Sequence, residues 1–227
     1  MTTVHAAASA DPTVLRVSMD AKATVKLGPF SRRGKSRAEV KAVDHDFKPA
    51  GTVTPVARTG AEDELTLCCI RSKVTSDCLV DVLEDWWDEN QPRFPLVTTL
   101  LVNLDNGPEN HSRRTQFLHR MVAFAQQKRV NLRLAYYPPY HSKYNPVERC
   151  FGVLERHGNG ELLESIDTVL RLARSMTWKG RNPVVHLVTR SYETGIRLTD
   201  EAMLAVEAQV QRLPALGKWF VDISCAA

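Results

Sequence analysis

The sequence predicts an α/β fold in which a mixed sheet is flanked by helices, with extra helices toward the C-terminus. Three observations carry this. Residues 15–19, 65–70, 98–104 and 131–136 are short apolar or alternating runs with the length of strands. Segments near 77–90, 113–128 and 146–157 bring apolar side chains back at helical spacing. Strands are grouped first and then alternate with helices, an order that suits a mixed sheet with helices on its faces.

Taken in order, residues 15–19 alternate as a half-buried strand does, and 23–27 form a second short strand ended by Gly28-Pro29. Residues 31–37 read as a basic, Gly-containing loop. Residues 40–56 are ambiguous, because Pro49, Gly51 and Pro55 interrupt their strand character. After a polar turn at 60–64 comes the short apolar strand 65–70. Thr75-Ser76-Asp77 supplies capping groups for a helix whose core stripe is Leu79, Val82, Leu83 and Trp86. Pro92 and Pro95 end it. Residues 98–104 are continuously apolar, as in a buried central strand, and Asp105-Asn106-Gly107-Pro108 stops them sharply. A helix over 113–128 leads to the strand 131–136 and the stiff Pro138-Pro139 loop. Asn145 is a good N-cap, Pro146 suits the first helical position, and Gly158-Asn159-Gly160 ends that helix. Two more helices are expected, at about 162–176 and 200–212.

The chain has 227 residues, 43% hydrophobic and 25% charged, enough for one large domain with an appendage. No apolar run has the length of a membrane span, and the first residues lack the pattern of a secretory signal. A cytoplasmic protein is expected. The five cysteines are odd in number and show no paired CxxC spacing, so buried thiols are expected rather than a zinc site. The net charge of +4 is unevenly spread: bases dominate 22–41 and 113–149, and acids dominate 77–90. Such segregation fits a basic face for a polyanion with an acidic face turned away; the alternative is ordinary solvated helix faces.

Three carboxylates stand out. Asp20 ends the first apolar run, Asp105 ends the central strand, and Glu148 lies in the first turn of a helix. Carboxylates at strand ends and a helix start are suited to a two-metal site for phosphodiester chemistry. Each also has a plainer reading. Asp20 and Asp105 suit strand-end turns, and Glu148 suits the helix dipole. Their joint order matches ribonuclease-H-like folds. Glu155 is seven positions after Glu148 on the same helix face and is the weaker candidate. Asp44-His45-Asp46 is read as a polar strand end rather than a metal site. His111 and Asn110 are candidates to contact substrate, and Asn106 to orient a metal ligand.

Several motifs carry a resemblance: Val17-Ser18-Met19-Asp20-Ala21-Lys22, Asp44-His45-Asp46-Phe47, Ser72-Lys73-Val74-Thr75-Ser76-Asp77, and Asn103-Leu104-Asp105-Asn106-Gly107-Pro108-Glu109-Asn110. With them go the run from Tyr137 through Pro138-Pro139-Tyr140-His141-Ser142-Lys143-Tyr144-Asn145-Pro146-Val147-Glu148 to Arg149, and Ser175-Met176-Thr177-Trp178-Lys179-Gly180. Over residues 15–223 the chain closely resembles the DDE catalytic domain of insertion-sequence transposases of the Rhodopirellula type. It resembles mariner-like transposases and retroviral-type integrases more distantly.

The resemblance implies a ribonuclease-H-like core over 15–160, a poorly ordered start at 1–14, and a helical extension over 161–227 packed on the core. It implies two Mg²⁺ (or Mn²⁺) ions, with Asp20 bridging both, Asp105 holding one and Glu148 the other. It implies cleavage of transposon ends by water and then attack of the freed 3′-hydroxyl on target DNA. DNA is the expected partner, with Arg32, Arg33, Lys35, Arg37, His141, Lys143 and Lys179 as candidate contacts, together with a homo-oligomer and no membrane. Longer family members carry an N-terminal helix-turn-helix region, so a chain shortened at its N-terminus is expected. The competing expectations are an inactive remnant that only binds DNA and another ribonuclease-H-like nuclease.

Overall fold

The computed structural model describes residues 10–30, 48–60, 64–138 and 145–226. These fall into two units, and the chain passes between them more than once. The first unit comprises the chain through Met19, Val74–Asn145 and Tyr192–Ala227. Its sheet runs in the order β1 (Val14–Ala21), β5 (Thr99–Leu104), β6 (Asn131–Tyr136), β9 (Phe220–Ile223), β8 (Val210–Arg212). Strands β1, β5 and β6 are parallel, and β9 and β8 then add antiparallel pairs. Strand β5 is buried from Leu100 to Leu104, which is why its sequence is mostly apolar without alternation, with Asn103 the one buried polar residue in that stretch.

Helices α1 (Ser76–Asn90) and α2 (Thr115–Lys128) belong to this unit. Thr75 caps α1 by accepting from the Cys78 amide. Leu79, Leu83, Trp86 and Trp87 of α1, and Phe117, Met121 and Phe124 of α2, are buried. The polar faces of the two helices meet. Arg120 reaches Asp77 and Asp81 at 2.8 and 2.7 Å, and Lys128 reaches Glu84 and Asp88 at 3.1 and 2.8 Å. Four of the acids expected to form a face turned away from the bases thus lie against Arg120 and Lys128 of the neighbouring helix.

The second unit comprises Asp20–Lys73 and Pro146–Ser191. Its sheet runs β7 (Val184–Val188), β4 (Leu65–Ile70), β3 (Gly51–Thr59), with β2 (Val25–Leu27) paired to β3. The ambiguous 40–56 segment resolves where it is described: Gly51 to Val56 are strand, and β3 continues to Thr59. Pro55 has no N–H to place, and its carbonyl accepts from the Lys22 amide at 2.8 Å. Helix α3 (Pro146–His157) lays Val147, Cys150 and Phe151 against Ala57, Leu65, Leu67, Ala173 and Met176. Helix α4 (Ile166–Ser175), capped by Ser165, adds Val169, Leu170 and Leu172.

The C-terminal segment departs from the all-helical expectation. It holds α4 and α5 (Asp200–Glu207), but also strands β7, β8 and β9. The helix expected over 200–212 ends at Glu207, and the chain re-forms as β8. The alternation of buried Val221 and Ile223 with part-exposed Phe220 and Asp222 was the available signal for β9. Asp222 is also fixed across the strand pair by Arg133, at 2.6 and 3.0 Å. None of the five cysteines is in a disulfide; four are buried, Cys225 is part-exposed, and burial pushes the Cys69 thiol up to about 11. No helix among the described residues is long and apolar enough to cross a membrane.

Candidate active-site carboxylates

Asp105 stands at the carboxyl end of β5, where the chain must leave a buried parallel strand. It does so through Asn106 at φ 65°, a left-handed conformation that Asn tolerates better than most side chains. The Asn106 side chain then accepts from the Ser112 amide at 3.3 Å. Asp105 Oδ1 receives two hydrogen bonds, from the Gly107 amide at 3.1 Å and from Asn110 Nδ2 at 2.9 Å. No hydrogen bond from the described residues reaches its other oxygen. A Cβ on Gly107 would stand 3.0 Å from Asp105 Oδ2 and 3.4 Å from Asn110 Oδ1, so glycine keeps that space open. Asn110 is buried, and its Oδ1 has no hydrogen-bond partner among the described residues.

Further contacts hold the rest of this loop. Ser76 Oγ donates to the Glu109 carbonyl at 2.7 Å, which ties the loop to the start of α1. Arg212 of β8 donates to the Ser112 carbonyl at 2.8 Å and to the Gly217 carbonyl at 3.2 Å, while its fork meets Glu207. Arg212 escaped the sequence reading, which had no motif to single it out. Loss of solvent, with Arg114 nearby, holds the His111 imidazole below its usual range despite Glu109. Within the same unit, Ser18 of β1 pairs with Asn103 of β5, and the Asn103 amide donates to the Ser18 hydroxyl at 3.1 Å. Burial raises the phenol of Tyr136, at the end of β6, well above its ordinary range.

In the second unit, Asp20 is 6% exposed and accepts from the Ala21 amide at 2.7 Å. Two residues later, Lys22 Nζ lies 2.5 Å from Glu155 Oε1 and 5.5 Å from the centre of the Phe151 ring. Lys22 and Glu155 border a cavity of about 380 Å³ whose walls include Val25, Leu163, Val169 and Leu172. Glu148 is in the first turn of α3 and exposed, while its neighbours Val147, Cys150 and Phe151 face the core. The amphipathic pattern of that helix therefore fixes which way Glu148 points.

Lys179 is exposed at the tip of a tight turn closed by reciprocal main-chain bonds between Trp178 and Arg181, at 2.8 and 3.0 Å. Lys179 and Gly180 both have positive φ, as a two-residue hairpin turn requires. The Lys179 ammonium lies 5.8 Å from the Trp178 ring centre. The other expected DNA contacts (Arg32, Arg33, Lys35, Arg37, His141 and Lys143) lie outside the described residues, as do Asp44, His45 and Asp46.

Comparison with known proteins bears on this arrangement. The family model described as the Rhodopirellula transposase DDE domain matches residues 2–225. No curated protein matches the chain significantly. Among solved structures, the chain is similar to one titled "Crystal structure of a pre-cleavage Mos1 transpososome", with a TM-score of 0.45 and 9% identity. The similarity covers 75% of this chain and 50% of that one, so this chain spans about half the length of that relative.

Proposed function

Because the chain belongs to the Rhodopirellula transposase DDE domain family, we propose that it is the catalytic part of an insertion-sequence transposase. It cuts DNA at the element's ends and joins the freed 3′-hydroxyl to target DNA. In this reading Asp20, Asp105 and Glu148 are the carboxylates of the site. The observation that carries it is Asp105, presented at the end of a buried parallel strand with both of its hydrogen bonds on one oxygen. The second oxygen adjoins the gap above Gly107.

The donor set is consistent with a divalent cation. Asp20, Asp105 and Glu148 offer hard carboxylate oxygens, which suit Mg²⁺ or Mn²⁺. Two such ions, when bound, supply the charge that activates the attacking oxygen and stabilises the leaving 3′-oxygen. The chain's own contribution is positional. Asn110 and the Gly107 amide fix the Asp105 carboxylate, β1 carries Asp20, and the buried stripe of α3 turns Glu148 outward. Lys179, backed by Trp178 on its turn, is proposed to contact DNA phosphate, which gives affinity without reading sequence. A cytoplasmic location and an oligomeric assembly belong to the same proposal.

The test is Mg²⁺-dependent cleavage and joining of DNA bearing the element's ends. Asp20→Ala, Asp105→Ala and Glu148→Ala are each expected to lower the rate by about a hundredfold or more, since even loss of a residue behind a metal ligand costs 10–100-fold. Full activity in any one variant removes that residue from the site. Products that are cut but never joined favour a nuclease, and no cleavage in Mn²⁺ favours a remnant that only binds.

A further inference from the structure

We propose that Asn110 is a positioning residue of the divalent-cation site, and that its side-chain oxygen accepts from a water held by the cation beside Asp105. This rests on the reading of Asp105 as a metal ligand. Asn110 is 5% exposed and donates through Nδ2 to Asp105 Oδ1 at 2.9 Å. That bond sets the amide's orientation, because the reversed amide would press one oxygen against another. Asn110 Oδ1 is then left buried with no hydrogen-bond partner among the described residues.

A buried amide oxygen without a donor is costly, and each such atom in a folded protein calls for an explanation. Here the explanation lies beside it. Asp105 Oδ2, Asp105 Oδ1 and Asn110 Oδ1 all approach the point where a Gly107 Cβ would stand, at 3.0, 3.3 and 3.4 Å, and of these Asp105 Oδ1 already accepts two hydrogen bonds. A carboxylate and an amide oxygen thus border a single gap that the missing side chain keeps open. Mg²⁺ and Mn²⁺ retain several waters when bound by few carboxylates, and those waters need acceptors. Asn110 divides the task between its two ends: the amide N–H holds Oδ1 of Asp105, which leaves Oδ2 for the cation, and the amide oxygen receives a hydrogen from the cation's water.

The experiment is Mn²⁺ titration of the purified full chain, followed by the electron paramagnetic resonance signal of the free ion. Asp105→Asn serves as the reference, and thermal midpoints are recorded without metal. Asn110→Ala is expected to weaken Mn²⁺ binding about tenfold. If Asn110→Ala does not fold, Asn110→Asp carries the test: it keeps the shape, loses the donor, and sets a second carboxyl against Asp105. Its Mn²⁺ affinity is expected to rise with pH more steeply than the parent's. Parent-like Mn²⁺ binding in the Asn110 variants, with binding lost in Asp105→Asn, overturns this proposal alone. A lowered thermal midpoint with unchanged Mn²⁺ affinity does the same, because it marks a purely structural role. Parent-like binding in Asp105→Asn, or no saturable binding by the parent, overturns the reading of Asp105 and this proposal with it.

Discussion

Lys22 holds Glu155: the ammonium lies 2.5 Å from the carboxylate and beside the Phe151 ring. The charge of Glu155 is thereby answered within its own unit, although it shares a helix face with Glu148. Glu155→Gln is therefore expected to keep metal-dependent activity, whereas Glu148→Gln loses it. Because Glu155 is more than half exposed, the stability change is expected to stay within about 1 kcal/mol. Parallel rate and urea-unfolding measurements check both parts; inactivity of Glu155→Gln at full stability would move the third carboxylate to Glu155.

Arg212 is expected to matter beyond its own strand. It donates to the Ser112 carbonyl at the far end of the Asp105 loop. Arg212→Met should lower unfolding stability by about 1.5–3 kcal/mol, the range for hydrogen bonds to a charged group. It should also speed amide exchange at residues 106–112. Unchanged exchange there would show that the loop stands without it.

The ion pairs between α1 and α2 should differ in worth from the one between β6 and β9. Arg120 faces Asp77 and Asp81, whose side chains are only 15% and 18% exposed. Arg120→Met leaves those acids half-desolvated and is expected to cost about 1–3 kcal/mol, below the figure for a fully buried pair. Arg133 and Asp222 are 50% and 38% exposed, so Arg133→Met should cost about 1 kcal/mol or less. Urea unfolding of the two variants at equal salt checks the ranking.

His111 makes a pH prediction. Its folded pKa lies below the ordinary value of 6.5, with desolvation the leading cause. As pH falls through about 6.5 the unfolded chain takes up a proton before the folded one does, so this contribution to stability is lost with acidification. It is fully present above 6.5. Unfolding at pH 7.5 and 5.5 is expected to show a smaller acid loss in His111→Gln than in the parent; equal losses would place the titration elsewhere.

Most of the strands and helices were legible because their patterns are local. The largely apolar run of β5 and the Asn145-Pro146 helix start each read directly. Strand β3 was obscured by Pro55, whose missing donor is tolerated only because of where its neighbours lie. The end of α5 at Glu207 was missed because tertiary pairing of Val210 to Arg212 overrode helical spacing. Within the candidate site, Asp105 and Asn106 announce themselves by turn chemistry. Arg212 could not, since its partner is a main-chain carbonyl 100 residues earlier. The pairing of α1 acids with α2 bases was equally hidden: charge runs show where charges are along the chain, not which ones meet.

The register that joins Leu132 to Ile223 has a consequence for how the protein is made. Strand β6 emerges from the ribosome long before its antiparallel neighbour β9 does. For that interval its outer edge is an open row of amides and carbonyls able to pair with another chain. The first unit cannot complete this part of its sheet until β9 has been synthesised, so its vulnerable period is set by translation rather than by folding alone.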